Sequence, residues 1–499
     1  MKICFIGAGS LGFTRQLLTD CMCVPALRGA QISFTDINQH NLDMVTQLCQ
    51  RDLEANGIQT KIQSTLDRRQ ALKDATYVIN SVRIGVLEAF ETDIEIPLKY
   101  GVDQCVGDTL CIGGIMYGQR VIAAMLDFCK DMREVSAPNV LHLNYSNPNA
   151  MATWACNTYG GVNTIGLCHG EVGGENQIAD VLGLKREDLD FICAGLNHQT
   201  WYISVKKDGE EMTGKLLQAF ESSPVYREQE KVRIDIMRRF GYYSTESNGH
   251  LSEYLAWYRK RPEEIASWID LSMWIHGETA GYLRVCREGR NWFVEDFPNL
   301  MKEPPQKYDI EHRGVEHASY IIESLETRKP YRGHFNVINN GTITNLPNDC
   351  VVEAPCYVDG NGVSVPKVGD LPDGCAAICN QSVSVQRLAV KAAVEGNVLW
   401  LKQAALLDPL TGAVCNPPEV WQMVDEMLIA QEQWLPQYKD VIKQVKQDWA
   451  KAEKEGTLIP TKVYKGAARL QERTFEEMSE NAEYMRKIAS ASSKESVVE

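Results

Sequence analysis

The sequence predicts an α/β fold: a Rossmann-type doubly wound parallel sheet followed by a mixed α+β domain. Three observations carry this. The apolar run at residues 2–6 enters a glycine-rich turn and then a helix-compatible stretch. Apolar runs of strand length then alternate with helix-length amphipathic stretches through the first 170 to 190 residues. Beyond that point hairpin signals and helical patterns replace the alternation. Strands alternating with helices of this length make right-handed βαβ units and therefore a parallel sheet.

Taken in order, residues 2–6 form the first strand, 14–23 a helix and 31–36 the second strand. A third apolar run, 76–80, follows the polar segment 58–74, and a fourth, 140–144, follows the amphipathic stretch 121–135. Residues 191–195 and 201–205 read as strands of a mixed sheet, and 224–290 as long helices rich in Trp, Tyr and Arg. Segment 333–370 holds Asn339-Asn340-Gly341, Asp359-Gly360-Asn361-Gly362 and several prolines, which signal hairpins and loops. From Cys379 onward the pattern is mainly helical, and 438–490 is highly charged with a weak apolar period at Val441, Ile442, Val445 and Trp449. No repeat, low-complexity block or Pro/Ser-rich linker intervenes, so the expected domains, 1–190, 191–437 and a charged helical C-terminal extension at 438–499, pack closely.

Composition narrows the class of partner. The 499 residues are 44% hydrophobic and 23% charged, with 51 basic against 66 acidic side chains and a net charge of −15. At roughly 100–200 residues per domain this allows two or three domains with a large core. Net acidity without a long Lys/Arg run argues against nucleic acid or an anionic membrane as partner, and no apolar run of about 18 residues spans a bilayer. The 16 cysteines are scattered without Cys-x-x-Cys pairs, and no secretory signal pattern follows Met1. A cytoplasmic protein is expected, its thiols reduced and mostly buried as small apolar side chains.

Gly7-Ala8-Gly9-Ser10-Leu11-Gly12 matches G-x-G-x-x-G between a strand and a helix. The first glycine permits a tight turn, the second lets backbone approach a pyrophosphate, the third lets helix pack on strand, and Ser10 stands at the helix N-terminus facing the phosphates. Asp36 ends the second strand 24 residues past Gly12, where a carboxylate accepts hydrogen bonds from a ribose. A carboxylate there favours NAD over NADP.

Several further segments, in order along residues 1 to about 436, carry a resemblance. They are Asp108-Thr109-Leu110 with Gly113-Gly114-Ile115-Met116, Leu143-Asn144-Tyr145-Ser146-Asn147-Pro148, Gly166-Leu167-Cys168-His169, Gly195-Leu196-Asn197-His198, Thr245-Glu246-Ser247 with Glu253-Tyr254, and Asn345-Leu346-Pro347 with Val368-Gly369. Together with the N-terminal glycine turn, this set resembles the family 4 glycoside hydrolases, most closely their α-galactosidase (melibiase) branch. The resemblance implies a glycosidase that requires NAD and a divalent metal, usually Mn2+. It implies catalysis by C3 oxidation, C2 deprotonation, elimination of the C1 leaving group and water addition, in place of two flanking carboxylates.

The resemblance also implies roles. Cys168 and His198 align with metal ligands. Tyr254 aligns with the catalytic base, with Arg259, Lys260 and Arg261 near in sequence to lower its phenol. His169 is a candidate acid or a sugar contact. Asn147 aligns with a contact to the C2 and C3 hydroxyls and Asp108 with another sugar contact, against the plainer readings of a turn and a helix cap. Asn80 is expected near the nicotinamide or ribose, and Arg83 as a cofactor contact, a sugar contact or a solvated charge.

The chain departs from the family pattern in places. Cys111-Ile112 precedes Gly113-Gly114 in a loop expected near the sugar, Tyr117 stands where the melibiase branch has Arg, and Phe90 replaces the Arg of phosphate-binding relatives. A 6-phosphosugar is therefore not expected. An α-galactoside is the first expectation, with α-glucuronide or α-glucoside as alternatives. A different class, an NAD-dependent sugar or hydroxy-acid dehydrogenase, stays open because the fold resembles lactate and malate dehydrogenases, as does a non-catalytic NAD-bound sugar sensor. A homodimer or homotetramer is expected, with the aromatic segment 224–290 as the interface.

Overall fold

The computed structural model describes residues 1–289 and 292–480, and among these twelve strands form one continuous sheet. The strands are β1 (Lys2–Ile6), β2 (Gln31–Thr35), β3 (Ile62–Thr65), β4 (Tyr77–Asn80), β5 (Leu141–Asn144), β6 (Thr164–Gly166), β7 (Asp190–Leu196), β8 (Gln199–Lys207), β9 (Glu210–Glu211), β10 (Tyr331–Ile338), β11 (Val351–Asp359) and β12 (Gly362–Ser364). Their order is β3-β2-β1-β4-β5-β6-β10-β11-β7-β8-β9, with β12 paired to β11. From β3 to β6 every pairing is parallel; from β6 onward every pairing is antiparallel.

Strands β1, β4 and β5 are short and fully buried because helices cover both faces of a parallel sheet. In chain order the covering helices are α1 (Leu11–Cys23), α2 (Gln39–Ala55), α3 (Arg68–Leu72), α4 (Val86–Lys99), α5 (Cys111–Val135), α6 (Asn149–Ala155) and α7 (Gly170–Leu182). Phe5 of β1 packs edge-on to Phe34 of β2 at 5.2 Å in the core. All cysteines are unpaired, and all except Cys168 and Cys286 are buried, in keeping with the expected filler role.

One row of residues crosses the sheet from the glycine turn to the second half of the chain. Ile6 pairs with Asn80, Asn80 with Asn144, and Asn144 with Gly166. Gly166 pairs with Asn336, Asn336 with Glu353, and Glu353 with Gly195. Asn80 lies in this row, and Arg83, Asn147, Cys168 and His198 follow within three residues of it, at the carboxyl edge where open α/β sheets bind ligands.

The structure corrects the sequence reading in several places. The polar 58–74 segment contains β3, a half-exposed edge strand whose outer face has no core to match. Cys111 opens α5 and is not in a loop; α5 starts ten residues before the amphipathic stretch because Gly113 and Gly114 pack closely there and break no helix. A Cβ on Gly114 would meet the Thr109 backbone at 2.5 Å. The 224–290 helices are short, Lys231–Phe240, Asn248–Tyr254, Pro262–Trp268 and Gly281–Glu288 among them, interrupted at Gly241 (φ 86°), Pro262 and Gly277 (φ 124°).

Among the described residues the C-terminal extension is helical over Lys439–Glu455 and again over 475–480. Gly456 (φ 65°) ends the helix, Pro460 follows, and residues 457–473 run as an irregular strap. The part of the expected extension at 481–499 lies outside the described residues. No helix among the described residues is long and apolar enough to cross a membrane.

Candidate functional site

At the first βα turn, Gly7 adopts φ 82°, and a Cβ there would meet Val82 at 3.0 Å and Ser81 at 3.1 Å. The Gly9 amide donates to Asp36 Oδ2 at 2.8 Å, and the Asn38 amide to Asp36 Oδ1 at 2.9 Å. Asp36 is thus fixed at the end of β2 against the turn. Ser10 is the N-cap of α1 and makes no side-chain cap bond, so its hydroxyl is available beside the helix N-terminus. Gly12 departs from the expected packing role, because a Cβ there would meet nothing within 4 Å. Its bareness leaves the turn open, and turn and acidic residue together fit a dinucleotide.

Asn80 is fully buried; its Nδ2 donates to Asn144 Oδ1 at 2.9 Å and Ser146 Oγ at 3.0 Å, while its Oδ1 has no partner. Arg83 is not a solvated charge. Its guanidinium lies over the rings of Phe90 at 3.9 Å, Tyr117 at 4.9 Å and Tyr282 at 5.3 Å, and its Nε and Nη2 have no hydrogen-bond partner.

The second constellation joins four segments. Cys168 follows β6 at the N-terminus of α7, where the Gly170 amide donates to its Sγ at 3.4 Å. His198 sits in the β7–β8 turn with φ 62°. Residues 243–245 pair along the start of β8, the Thr245 amide donating to the Thr200 carbonyl at 2.9 Å, which brings Glu246 beside His198. The helix Asn248–Tyr254, capped by Ser247, carries His250, Glu253 and Tyr254 inward. The donor atoms of Cys168, His198 and Glu246 lie within 4.8 Å of one another, as do those of Asp108, His198 and His250.

Burial, then the Glu246, Glu353 and Glu171 carboxylates, push the Cys168 thiol well above its ordinary value. A cation at the sulfur reverses this, so a thiol, an imidazole and a carboxylate converging here fit a divalent metal. Asp108 Oδ1 accepts from Thr109 at 2.8 Å and its Oδ2 from Asn147 at 2.9 Å, so the two expected sugar contacts touch each other. Glu253 accepts the amides of Cys105, Val106 and Gly107 at 2.7, 2.9 and 2.9 Å, fixing the loop that presents Asp108.

Tyr254 is fully buried and close to this group, 6.0 Å from His250 between rings. Burial, then Asp108 and Glu253, raise its phenol well above the ordinary value. The cations near it in sequence do not relieve this: Arg259 pairs with Asp103, and Arg261 with Glu264 at 2.8 Å. A divalent metal inside the site would lower it. His169 is largely exposed and pairs through Nδ1 with Glu316 at 3.1 Å, which raises it to about 9. The Glu316 carboxylate thus favours the protonated imidazole, the form able to donate a proton.

The sequence carried no assigned role for Thr109, Glu246, His250 or Glu253. Thr109, Glu246 and Glu253 stood in the family segments without a role, and His250 had only its place in the run of His and carboxylate side chains from 246 to 254.

A doubly wound dinucleotide fold with a Cys/His/carboxylate cluster at its carboxyl edge defines a class of NAD-type enzymes that also hold a metal. Residues 2–184 match the model of the family 4 glycosyl hydrolases, and residues 193–411 match the model of the family 4 glycosyl hydrolase C-terminal domain. The chain belongs to family 4 of the glycosyl hydrolases. It is 54% identical to an α-galactosidase of Rhizobium meliloti (strain 1021) over 96% of both chains. It is 34% identical to an α-galactosidase of Bacillus subtilis (strain 168) over 88% of this chain and all of that one. The 6-phospho-β-glucosidase of Thermotoga maritima, solved with manganese, NAD+ and glucose-6-phosphate, shares the fold with a TM-score of 0.70 and 24% identity, over 87% of this chain and 99% of that one.

Proposed function

We propose that this protein is a cytoplasmic, NAD- and divalent-metal-dependent α-galactosidase. One observation carries the reading: Cys168, His198, Tyr254, Asp108 and Asn147, from five separate segments, converge on one largely buried site. The 54% identity to an α-galactosidase over nearly the whole chain supports the galactoside. NAD, when bound, supplies a hydride acceptor for C3 of the sugar, and the divalent metal, manganese first, supplies a Lewis acid toward O2 and O3.

Gly7, Gly9, Ser10 and Gly12 admit the pyrophosphate, and Asp36 accepts the ribose hydroxyls. Cys168 and His198 hold the metal. Asp108 and Asn147 orient the C2 and C3 hydroxyls, Tyr254 takes the C2 proton, and His169, protonated through Glu316, delivers a proton to the leaving oxygen. Arg83 and Asn80 close the boundary between cofactor and sugar. The unpaired thiols support a reducing compartment. Exposed Trp257, Leu271 and Met273 support a subunit face, and with it a homodimer or homotetramer.

The test is a panel of aryl α- and β-glycosides (galacto, gluco, glucurono, galacturono) assayed with NAD+, Mn2+ and reductant. Release of aglycone from the α-galactoside without net NADH is the expected result. Steady NADH accumulation with no aglycone would identify a dehydrogenase, and preference for a uronoside or glucoside would reassign the sugar.

A further inference from the structure

We infer that Glu246 is a third protein ligand of the divalent metal, and that Gly170 is the residue that leaves it room to bind. The inference rests on the reading of Cys168 and His198 as ligands and extends it.

Glu246 Oε2 stands 3.8 Å from His198 Nε2 and 4.0 Å from Cys168 Sγ. An ion held by bonds of about 2.0–2.3 Å separates neighbouring donors by roughly 3–4.5 Å, which matches this triangle. The alternative grouping around His198 is already satisfied. Asp108 accepts from both Thr109 and Asn147, and His250 Nδ1 is bonded to Ser247 Oγ at 2.8 Å.

A second observation is independent of the triangle. The Glu246 side chain is only 15% exposed, and among the described residues its one hydrogen bond is the long contact from the Cys168 thiol. Asp103, Glu253 and Asp408, carboxylates buried more deeply, each accept two or more short hydrogen bonds. Its imidazole neighbours, His198 Nε2 and His250 Nδ1, each stand 3.8 Å away, beyond hydrogen-bond reach, so this nearly buried carboxylate is short of donors and suited to a cation.

The backbone spends strain to put it there. Glu246 adopts φ 71° and His198 φ 62°, both left-handed and neither glycine. The Thr200–Thr245 and Trp201–Ser244 pairings hold the two turns side by side.

Gly170 completes the argument. A Cβ built on it would overlap Glu246 Oε2 and come within 3.4 Å of Cys168 Sγ. Any side chain at 170 pushes the carboxylate off the triangle. With a thiolate and a carboxylate as ligands the dication is neutralised, and the remaining positions accept two sugar oxygens without importing charge.

The experiment is Mn2+ titration of the chelator-treated full chain, without sugar, followed by electron paramagnetic resonance of free Mn2+, on wild type, Glu246→Gln, Gly170→Ala and Cys168→Ser. NAD+ binding and the Tm of the metal-free proteins report folding. Glu246→Gln and Gly170→Ala are expected to bind Mn2+ at least about tenfold more weakly, with NAD+ affinity unchanged. In the Co2+ form the thiolate charge-transfer band should persist in Glu246→Gln and vanish in Cys168→Ser. Wild-type Mn2+ affinity in Glu246→Gln and Gly170→Ala, with affinity lost in Cys168→Ser, overturns the role of Glu246 alone. Wild-type affinity in all three overturns the Cys168 reading as well. Should Glu246→Gln not fold, Gly170→Ala decides by the same criterion.

Discussion

The Thr109 hydroxyl lies 2.9 Å from Nδ1 of His198 and donates to Asp108 Oδ1 at 2.8 Å. A hydroxyl has one proton, and the carboxylate takes it, so Nδ1 of His198 must be the donor in the other contact. The imidazole is thereby held with Nε2 bare and directed at Cys168 and Glu246, which is the tautomer a metal requires.

Removing the hydroxyl should release the tautomer. Thr109→Val is expected to lose about 10- to 100-fold in Mn2+ affinity, while Thr109→Ser retains it. Isothermal titration of the NAD-bound protein checks this. Equal affinity in Thr109→Val and wild type would show that the hydroxyl does not orient His198.

Tyr254→Phe keeps the ring packing of a fully buried residue and removes only the phenol. A loss of about 10²- to 10⁴-fold in kcat is expected with little change in Mn2+ or NAD+ affinity. Deuterium at C2 of the substrate should slow the wild type. An unchanged kcat in Tyr254→Phe would remove it from the role of base.

Acid should destabilise the metal-free protein through two buried imidazoles. Burial lowers His142 to about 4, and burial with Arg332 lowers His334 to about 3. Below pH 6.5 the unfolded chain protonates both while the native chain does not. Their contribution is therefore complete above 6.5 and is lost as pH falls toward 4, by about 1.4 kcal/mol per pH unit for each group. Urea unfolding from pH 7.5 to 4.5 measures the slope, and His142→Gln should flatten it. An unchanged slope in that variant contradicts the assignment.

The strap at 457–473 should matter to a site it does not enter. Tyr464 Oη and the Ala467 amide each donate to Asp103 Oδ2 at 3.0 Å, and Asp103 also pairs with Arg259 next to the 105–107 loop. Arg469 binds Glu95 at 2.6 Å and Arg473 binds Glu288 at 2.7 Å. A chain ending at Gly456 is expected to lose about 1–3 kcal/mol of stability and to show a raised KM for the sugar. Identical melting and KM values would make the strap a passive appendage.

The first half of the fold was legible because its signals are local. Alternating apolar runs reveal strands and helices, and the glycine turn with Asp36 points to a candidate dinucleotide site, each within one window of sequence. The edge strand β3 and the start of α5 were not, since a half-exposed strand lacks an apolar face and Gly113 and Gly114 signal a turn until their close contacts are seen. Gly12 was read correctly as part of the motif and wrongly as a packing glycine, because nothing local says what lies opposite it.

By itself the sequence determined the doubly wound sheet, the glycine turn and, through ordered family segments, the candidates Cys168, His198 and Tyr254. Tertiary structure alone decided that Arg83 is sheathed by Phe90, Tyr117 and Tyr282, that Arg259 serves Asp103 and not Tyr254, and that Glu246 stands against Gly170 between Cys168 and His198. Those facts rest on contacts between side chains separated by tens of residues in sequence. Periodicity and spacing report which face a residue takes; only the paired turns of a folded sheet determine which side chain meets it there.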